Sequence, residues 1–441
     1  MRISSTMMSN NYLKQLNGTY EQYSKLMEQA DGSKLHRASD NAVGYSKYLR
    51  YQNNQISNEQ YQSNVSTASS WMKNADAALV NVTDLLQTFK AKVEQGSNST
   101  NNESDMKDIA KELLANVQEQ VADLNTQIGD RFLFAGQKDT TMPFEISADK
   151  MSRGDTFTLD EKQSAFFSGA TGWGEENTTV KQMLKLNGDD GNSYYMNVNT
   201  GDVYTEDFVK NGYKNEDKFD PAKQRVDNIT AITDPPTAYK VSDHFDQYGV
   251  IKTDAGVGTN AKYNVTVDGK QVNLKLSTTK QYIVKYAGDD KYISMVKKNG
   301  GVDKATDTVN VTGQDINGCD LFDVGNDPHS GTARLNQLLY TVAKMDAADY
   351  KWAGEQGMTI ADSAHATVLG AQTKMAARQQ AYNSSSSMLV TQNESITSDI
   401  SDVSSTDVAQ LATKLMEYQT IYSLSLSVGS KILPGTLADY L

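Results

Sequence analysis

Cysteine is all but missing from this chain of 441 residues, where Cys319 stands alone. One thiol excludes an internal disulfide and any cysteine-based zinc cage. Proline is nearly as scarce, with 6 residues, so long uninterrupted helices are permitted. Apolar residues make up only 38%, and the mean hydropathy is -0.58, which suits a large exposed surface relative to core. No apolar run reaches the roughly 18 residues of a membrane-spanning helix, so no membrane insertion is expected. Residues 1–16 lack the apolar core of about 7–15 residues that marks a cleavable signal, so export would need a route that reads no such signal. Basic charge is in deficit as well: 42 Lys and Arg face 55 Asp and Glu, a net charge of -13. That balance argues against nucleic acid, whose phosphates need a basic face, and gives no attraction to an anionic membrane.

Heptads are what the chain has in quantity. Leu13, Leu16, Tyr20, Tyr23, Met27 and Ala30 follow spacings of three and four, one stripe of a helix, until Asp31-Gly32 breaks it. Ser39 or Asp40 then offers an N-cap for the next helix. Val65, Ala68, Met72, Ala75, Leu79, Val82, Leu86, Phe89 and Val93 hold the spacing over four heptads, the pattern of a coiled-coil-like helix. After the polar stretch 96–102, helix resumes through Ile109, Leu113, Val117, Val121, Leu124 and Ile128 and stops at Gly129. The two segments read as antiparallel helices joined by an Asn/Ser-rich turn.

Residues 146–329 change period. Tyr263–Val267 and Val272–Leu276 alternate on either side of Asp268-Gly269, a strong hairpin signal. Tyr282–Tyr286 and Tyr292–Val296 flank Gly288-Asp289-Asp290 in the same manner. A β-rich insertion of one or two subdomains follows. From about residue 330 helix returns, through Ala361, Ala364, Val368, Ala371, Met375, Arg378 and Tyr382, then Leu389, Ile396, Ile400 and Val403. A last stripe runs through Val408, Leu411, Leu415, Tyr418, Tyr422 and Leu426. The fold class is therefore α+β: a discontinuous helical bundle, 33–145 with 330–403, carrying a β-rich inserted domain. Amphipathic helices cannot bury their stripes alone, so both helical regions belong to one bundle.

Candidate chemistry fails on spacing. His36, His244, His329 and His365 are scattered without ligand intervals. Gly256–Ala261 has a loose dinucleotide-binding pattern but precedes a strand, where phosphate binding needs a helix N-terminus. Asn187–Asn192 has oxygen ligands without the calcium-loop spacing or its terminal glutamate, and reads as a turn between strands. No nucleophile elbow or Ser-x-x-Lys box occurs. Neither catalysis nor a cofactor or metal is expected.

The heptads of 65–93 read as intramolecular core. The ends read differently. Residues 1–32 and 404–441 are amphipathic arms set off by Gly32 and Ser404-Ser405, and an isolated helix of that length is marginal in water. Burying one Leu contributes roughly 1.5–3 kcal/mol, so five or six such positions can order an arm once a partner covers them. The expected assembly interface is Leu13, Leu16, Tyr20, Tyr23 and Met27 with Leu411, Leu415, Tyr418, Tyr422 and Leu426, in arms mobile in the monomer and ordered on assembly.

Specific segments carry a resemblance. Met1–Met8 looks like the start, and Leu437–Leu441 with its Asp-Tyr-Leu like the end, of the junction members of the bacterial flagellin family. Leu35–Ala42 is similar to that family's R-x-S-D-D-P segment, with Asn41 and Ala42 in place of its second Asp and its Pro. Asp130–Gly136 followed by Pro143-Phe144 resembles its R-[YF]-L-F-[AS]-G … P-F stretch, and Thr406–Val428 its C-terminal helix. The likeness covers about 145 residues at the front and 110 at the back. It implies an extracellular flagellar subunit exported through the type III channel, joining hook to filament as a helical ring. It further implies hook-associated protein one, flagellin and a chaperone of the C-terminal arm as partners. Filament flagellin is the alternative within the family. A secreted adhesin binding glycan through the insertion is the alternative outside it.

Overall fold

The computed structural model describes residues 5–37, 39, 41–168, 180, 182–198, 200–212, 226–228, 244–246, 249–252, 263–293, 308–318, 321 and 332–432. Helix α1, Ser5–Glu28, ends in a 3-10 turn, Gln29–Asp31, at Gly32, whose φ of 92° only glycine adopts without strain. Helix α2 runs unbroken from Ala42 to Gly96 and α3 from Glu103 to Leu124. The β-rich region has strands β1 Gln127–Ile128, β2 Arg131–Phe132, β3 Phe144–Gly154, β4 Thr156–Thr158, β5 Gln182–Gly188, β6 Ser193–Asn197, β7 Asp202–Thr205, β8 Asp227–Asn228, β9 Tyr263–Val267, β10 Lys270–Leu276 and β11 Thr278–Tyr286. Between them lie the short helices α4, Glu161–Ser168, and α5, Glu206–Asn211. Helix α6, Gly313–Asn317, precedes α7, Ala333–Asp346. A helical turn, Tyr350–Trp352, and a π turn, Ala353–Gly357, lead into α8, Met358–Ser404, and the last helix is α9, Val408–Ile432. Long terminal helices around a β-rich centre are the expected α+β plan.

Contacts divide the chain into two units, residues 1–67 with 382–441 and residues 68–381. The boundaries fall inside α2 and α8. The arms set off by composition instead stop at Gly32 and Ser404, where α1 and α8 end their runs.

The larger unit holds the core. All nine heptad positions from Val65 to Val93 are buried, though Val65 itself belongs to the smaller unit. Met106, Ile109, Leu113, Val117 and Leu124 of α3 are buried too, and Asn102 with Asp105 closes a capping box at the start of that helix. Leu335, Leu338, Leu339 and Met345 of α7 and Ile360, Ala361, Ala364, Val368, Ala371 and Met375 of α8 complete the helical core.

Strands β8-β7-β6-β5-β10-β9 make one antiparallel sheet, with β4 also paired to β5. Alternation sends neighbours to opposite faces. Leu184, Leu186, Tyr194, Met196, Val203 and Val272 enter one cluster, while Met183, Tyr195 and Tyr204 enter another with Phe157 and Phe167. Both faces are thus covered. The β9–β10 hairpin turns at Asp268 and Gly269, with φ of 48° and 78°, as the sequence signal requires.

Three local expectations change. The cap of α2 is Asn41, whose Oδ1 accepts from Gly44 N at 2.9 Å, rather than Ser39 or Asp40. Helix α3 stops at Leu124, and Ile128 lies in β1. Asn125 diverts the chain there, because its side chain bonds both the N–H and the carbonyl of Phe144, at 3.0 and 2.8 Å. Tyr282–Tyr286 pairs, as the end of β11, with β3, and most of the partner expected across Gly288, residues 294–296, lies outside the described residues. The turn is held elsewhere, since Asp289 Oδ1 accepts from Gln137 N at 2.6 Å and the Asp289 carbonyl from the Tyr286 hydroxyl at 3.0 Å. The segments 169–174, 256–261, 294–296 and 433–441, together with Cys319 and His329, lie outside the described residues.

Candidate assembly interface

In the smaller unit α1 and α9 pack on each other. Their approach is set by a small residue. An added Cβ on Gly429 would lie 2.1 Å from the Tyr12 hydroxyl, which occupies that space and donates to the Ser425 carbonyl at 2.7 Å. One step along, the Tyr20 and Tyr422 rings meet at 5.8 Å with a 43° tilt. The two chain reversals are joined as well. Ser33 and Ser405 form an antiparallel bridge, Lys34 N donates to the Ser404 carbonyl at 2.7 Å, and Thr406 N to the Gly32 carbonyl at 2.9 Å. Asp407 then caps α9, its Oδ1 accepting from Ala409 N and Gln410 N at 2.9 and 3.1 Å.

Of the ten residues singled out in the sequence, the structure brings Tyr20 and Tyr422 into ring contact. Leu411 is buried, at 5% exposure. Leu16, Tyr23, Leu415, Tyr418 and Tyr422 are half-buried. Leu13, Tyr20, Met27 and Leu426 stay exposed, Tyr20 at 56% and Met27 at 53%. The stripes therefore cover each other in part, within one chain, and leave an apolar outer face.

Exposed apolar side chains are more numerous in this unit than the heptads indicated. Met7, Met8, Val408, Met416, Leu424 and Val428 are exposed on α1 and α9. So are Val43, Leu49 and Ile56 on the first half of α2, and Met388 and Val390 on the end of α8. Against these, the buried apolar residues of the smaller unit, among the described residues, are Leu35, Val65, Tyr382, Leu389 and Leu411. In the larger unit the proportion is reversed, with a long list of buried residues and exposed large apolar ones confined to Val80, Met142, Val250, Tyr350 and Leu369 among the described residues. Where exposed apolar side chains gather into a patch on a soluble protein, the patch marks an interaction site.

Sequence reasoning missed Tyr12, Gly429 and the α2 face. Extending the three-four spacing one step back from Leu16 reaches Tyr12, so that signal existed. Gly429 offered none, because a glycine in a helical pattern reads as a weak point rather than as a seat for a partner ring. Leu49 and Ile56 are seven apart, yet they sit between tyrosines and asparagines and make no continuous stripe.

Among the described residues no group of His, Cys, Asp or Glu could hold a metal ion. His36 pairs with Asp31 at 3.2 Å near the Gly32 reversal. Asn187–Asn192 is the β5–β6 turn, in which Asp190 takes the Tyr194 hydroxyl at 2.7 Å. No helix among the described residues is long and apolar enough to cross a membrane.

Comparison with known proteins bears on the same helices. Residues 3–139 match the family described as the bacterial flagellin N-terminal helical region. A flagellin of Salmonella montevideo is 26% identical over 302 residues, 59% of this chain and 58% of the relative. A flagellin of Salmonella senftenberg is 24% identical over the same shares. The chain thus spans less than two thirds of the length of the curated relatives it matches. A putative flagellar hook-associated protein from Vibrio parahaemolyticus superposes with a TM-score of 0.45 at 13% identity, covering 83% of this chain and 100% of that one. The flagellar junction protein FlgL from Legionella pneumophila gives 0.34 at 12% identity, covering 76% and 98%.

Proposed function

We propose that this chain, a member of the bacterial flagellin family, is a structural, non-enzymatic subunit of the flagellum that joins hook to filament. One observation carries the reading: the large exposed apolar side chains concentrate on the unit that holds both chain ends, and that unit has little core of its own. A surface of this kind has a use in a polymer. The α1–α9 pair presents its outer face to neighbouring copies in a heterologous contact that does not close, and so propagates a helical lattice. Leu13, Leu16, Tyr20, Tyr23 and Met27 with Leu411, Leu415, Tyr418, Tyr422 and Leu426 form that interface.

The arms order fully only on assembly. Nearly all of their apolar positions are exposed or half-exposed in the single chain, so the pair gains little from its own burial. Partners are other copies in a ring, hook-associated protein one on one side and flagellin on the other, with an export chaperone on the C-terminal arm before secretion. The site of action is extracellular, reached through the type III channel.

Deleting the gene in its own organism tests the junction role. Hooks left intact, with unassembled flagellin shed into the medium, are expected. Loss of the flagellin pool itself, or filaments of normal length, would count against it, and a copy number in the thousands on purified flagella would make the chain a filament flagellin.

A further inference from the structure

Methionine is divided between the two units by exposure. All five methionines described in the smaller unit, Met7, Met8 and Met27 on α1, Met388 on α8 and Met416 on α9, are between 48% and 64% exposed. In the larger unit Met72, Met106, Met183, Met196, Met345 and Met375 are buried and Met151 and Met358 half-buried. Met142 is the one exposed methionine of that unit among the described residues.

That division has a chemical consequence. A thioether reacts with a peroxide only where the oxidant reaches the sulfur lone pair, so burial protects the core methionines and leaves the other set open. With hydrogen peroxide the sulfur attacks one oxygen and the O–O bond breaks. The sulfur gives up two electrons and keeps that oxygen, and the second oxygen leaves, with both protons, as water. A flexible apolar side chain becomes a polar sulfoxide.

On α1 this rewrites most of the exposed apolar surface. Its exposed large apolar side chains are Met7, Met8, Leu13, Tyr20 and Met27, and three of those five can be oxidised in this way. The fold of the single chain loses nothing, since these side chains already stand in water. A neighbouring subunit that covers them does lose: a polar group buried without a hydrogen bond weakens binding by about tenfold or more.

We propose that Met7, Met8, Met27, Met388 and Met416 form a modification site, oxidised to sulfoxides by peroxides in the unassembled chain, and that the sulfoxides bar the subunit from assembly until they are reduced. The proposal rests on the reading of the smaller unit as the assembly surface.

The full chain carrying Cys319→Ser, which removes its one thiol, is treated as a monomer with hydrogen peroxide and mapped by peptide mass spectrometry. Sulfoxide is expected at the five methionines and at Met142, with the six buried ones unreacted. The oxidised chain should keep its melting temperature yet lose incorporation into flagella, assembled with hooks and flagellin, by at least about tenfold. Treatment with both methionine sulfoxide reductases, one for each epimer, should restore it. Leucine at all five positions, close to methionine in volume, should make incorporation resistant to peroxide, whereas Met142→Leu should leave it sensitive. An oxidised chain that joins as well as the untreated one overturns the proposal, as does a loss that the reductases fail to reverse or that follows a fall in melting temperature. An untreated chain that does not join at all overturns the assembly reading, and the proposal with it.

Discussion

The Tyr12 hydroxyl reaches across from α1 to the Ser425 carbonyl of α9, 2.7 Å away, in the space that Gly429 leaves by having no side chain. Residues more than four hundred positions apart thus set how closely the two ends of the chain pack.

Gly429→Ala is expected to push Tyr12 out of that seat. Alanine favours helix by about 1 kcal/mol over glycine, but the new methyl lies at 2.1 Å from the hydroxyl, and overpacking costs about 1–3 kcal/mol. Amide exchange over residues 408–432 should therefore accelerate in the variant and recover in Gly429→Ala with Tyr12→Ala. Unchanged exchange in the single variant would mean that the helices do not depend on this contact.

Leu426→Asp should leave the monomer's melting temperature within a few degrees of wild type, because the side chain is 47% exposed and exposed substitutions usually change stability by about 0.5 kcal/mol or less. Incorporation into filaments, measured by sedimentation with the partner subunits, should be lost. Normal incorporation would remove the outer face of α9 from the interface.

Removing residues 407–441 should barely move the thermal midpoint of the monomer, whereas Phe89→Ala, in the fully buried heptad stripe, should cost about 3–5 kcal/mol. Calorimetry on the two variants compares the units directly. A large drop on truncation would place α9 within the cooperative fold.

Alkaline pH should unfold the larger unit early. Burial, and then the hydrogen bond to Asp190, push the Tyr194 phenol up to about 12; burial first also raises Tyr195, Tyr286 and Tyr292. In the unfolded chain phenols ionise near pH 10. The folded state holds its protons longer, so this stability is complete below about pH 10 and is lost as pH rises from there through the folded values. Urea midpoints at increasing pH should fall across that window, and less steeply in Tyr194→Phe. A profile flat to about pH 11.5 would contradict the burial of these rings.

Much of this protein is written locally. Nine positions from Val65 to Val93 at three-four spacing could be buried together only on one face of a helix, and all nine are. Asp268-Gly269 permitted a hairpin with two positive φ values, and it formed. The stop at Gly32 and the break at Ser404-Ser405 were equally visible, since glycine and serine act on the chain within a few residues. Their meeting was not: the Ser33–Ser405 bridge joins two breaks through tertiary packing alone. The same holds for Asn125, which ends α3 by clasping Phe144, and for β11, which pairs with β3. Period and turn chemistry determined which segments are helices and strands, because those are short-range effects. Which stripe is covered, and which stays exposed, depends on the sum of contacts across the fold, and only the tertiary structure decided that.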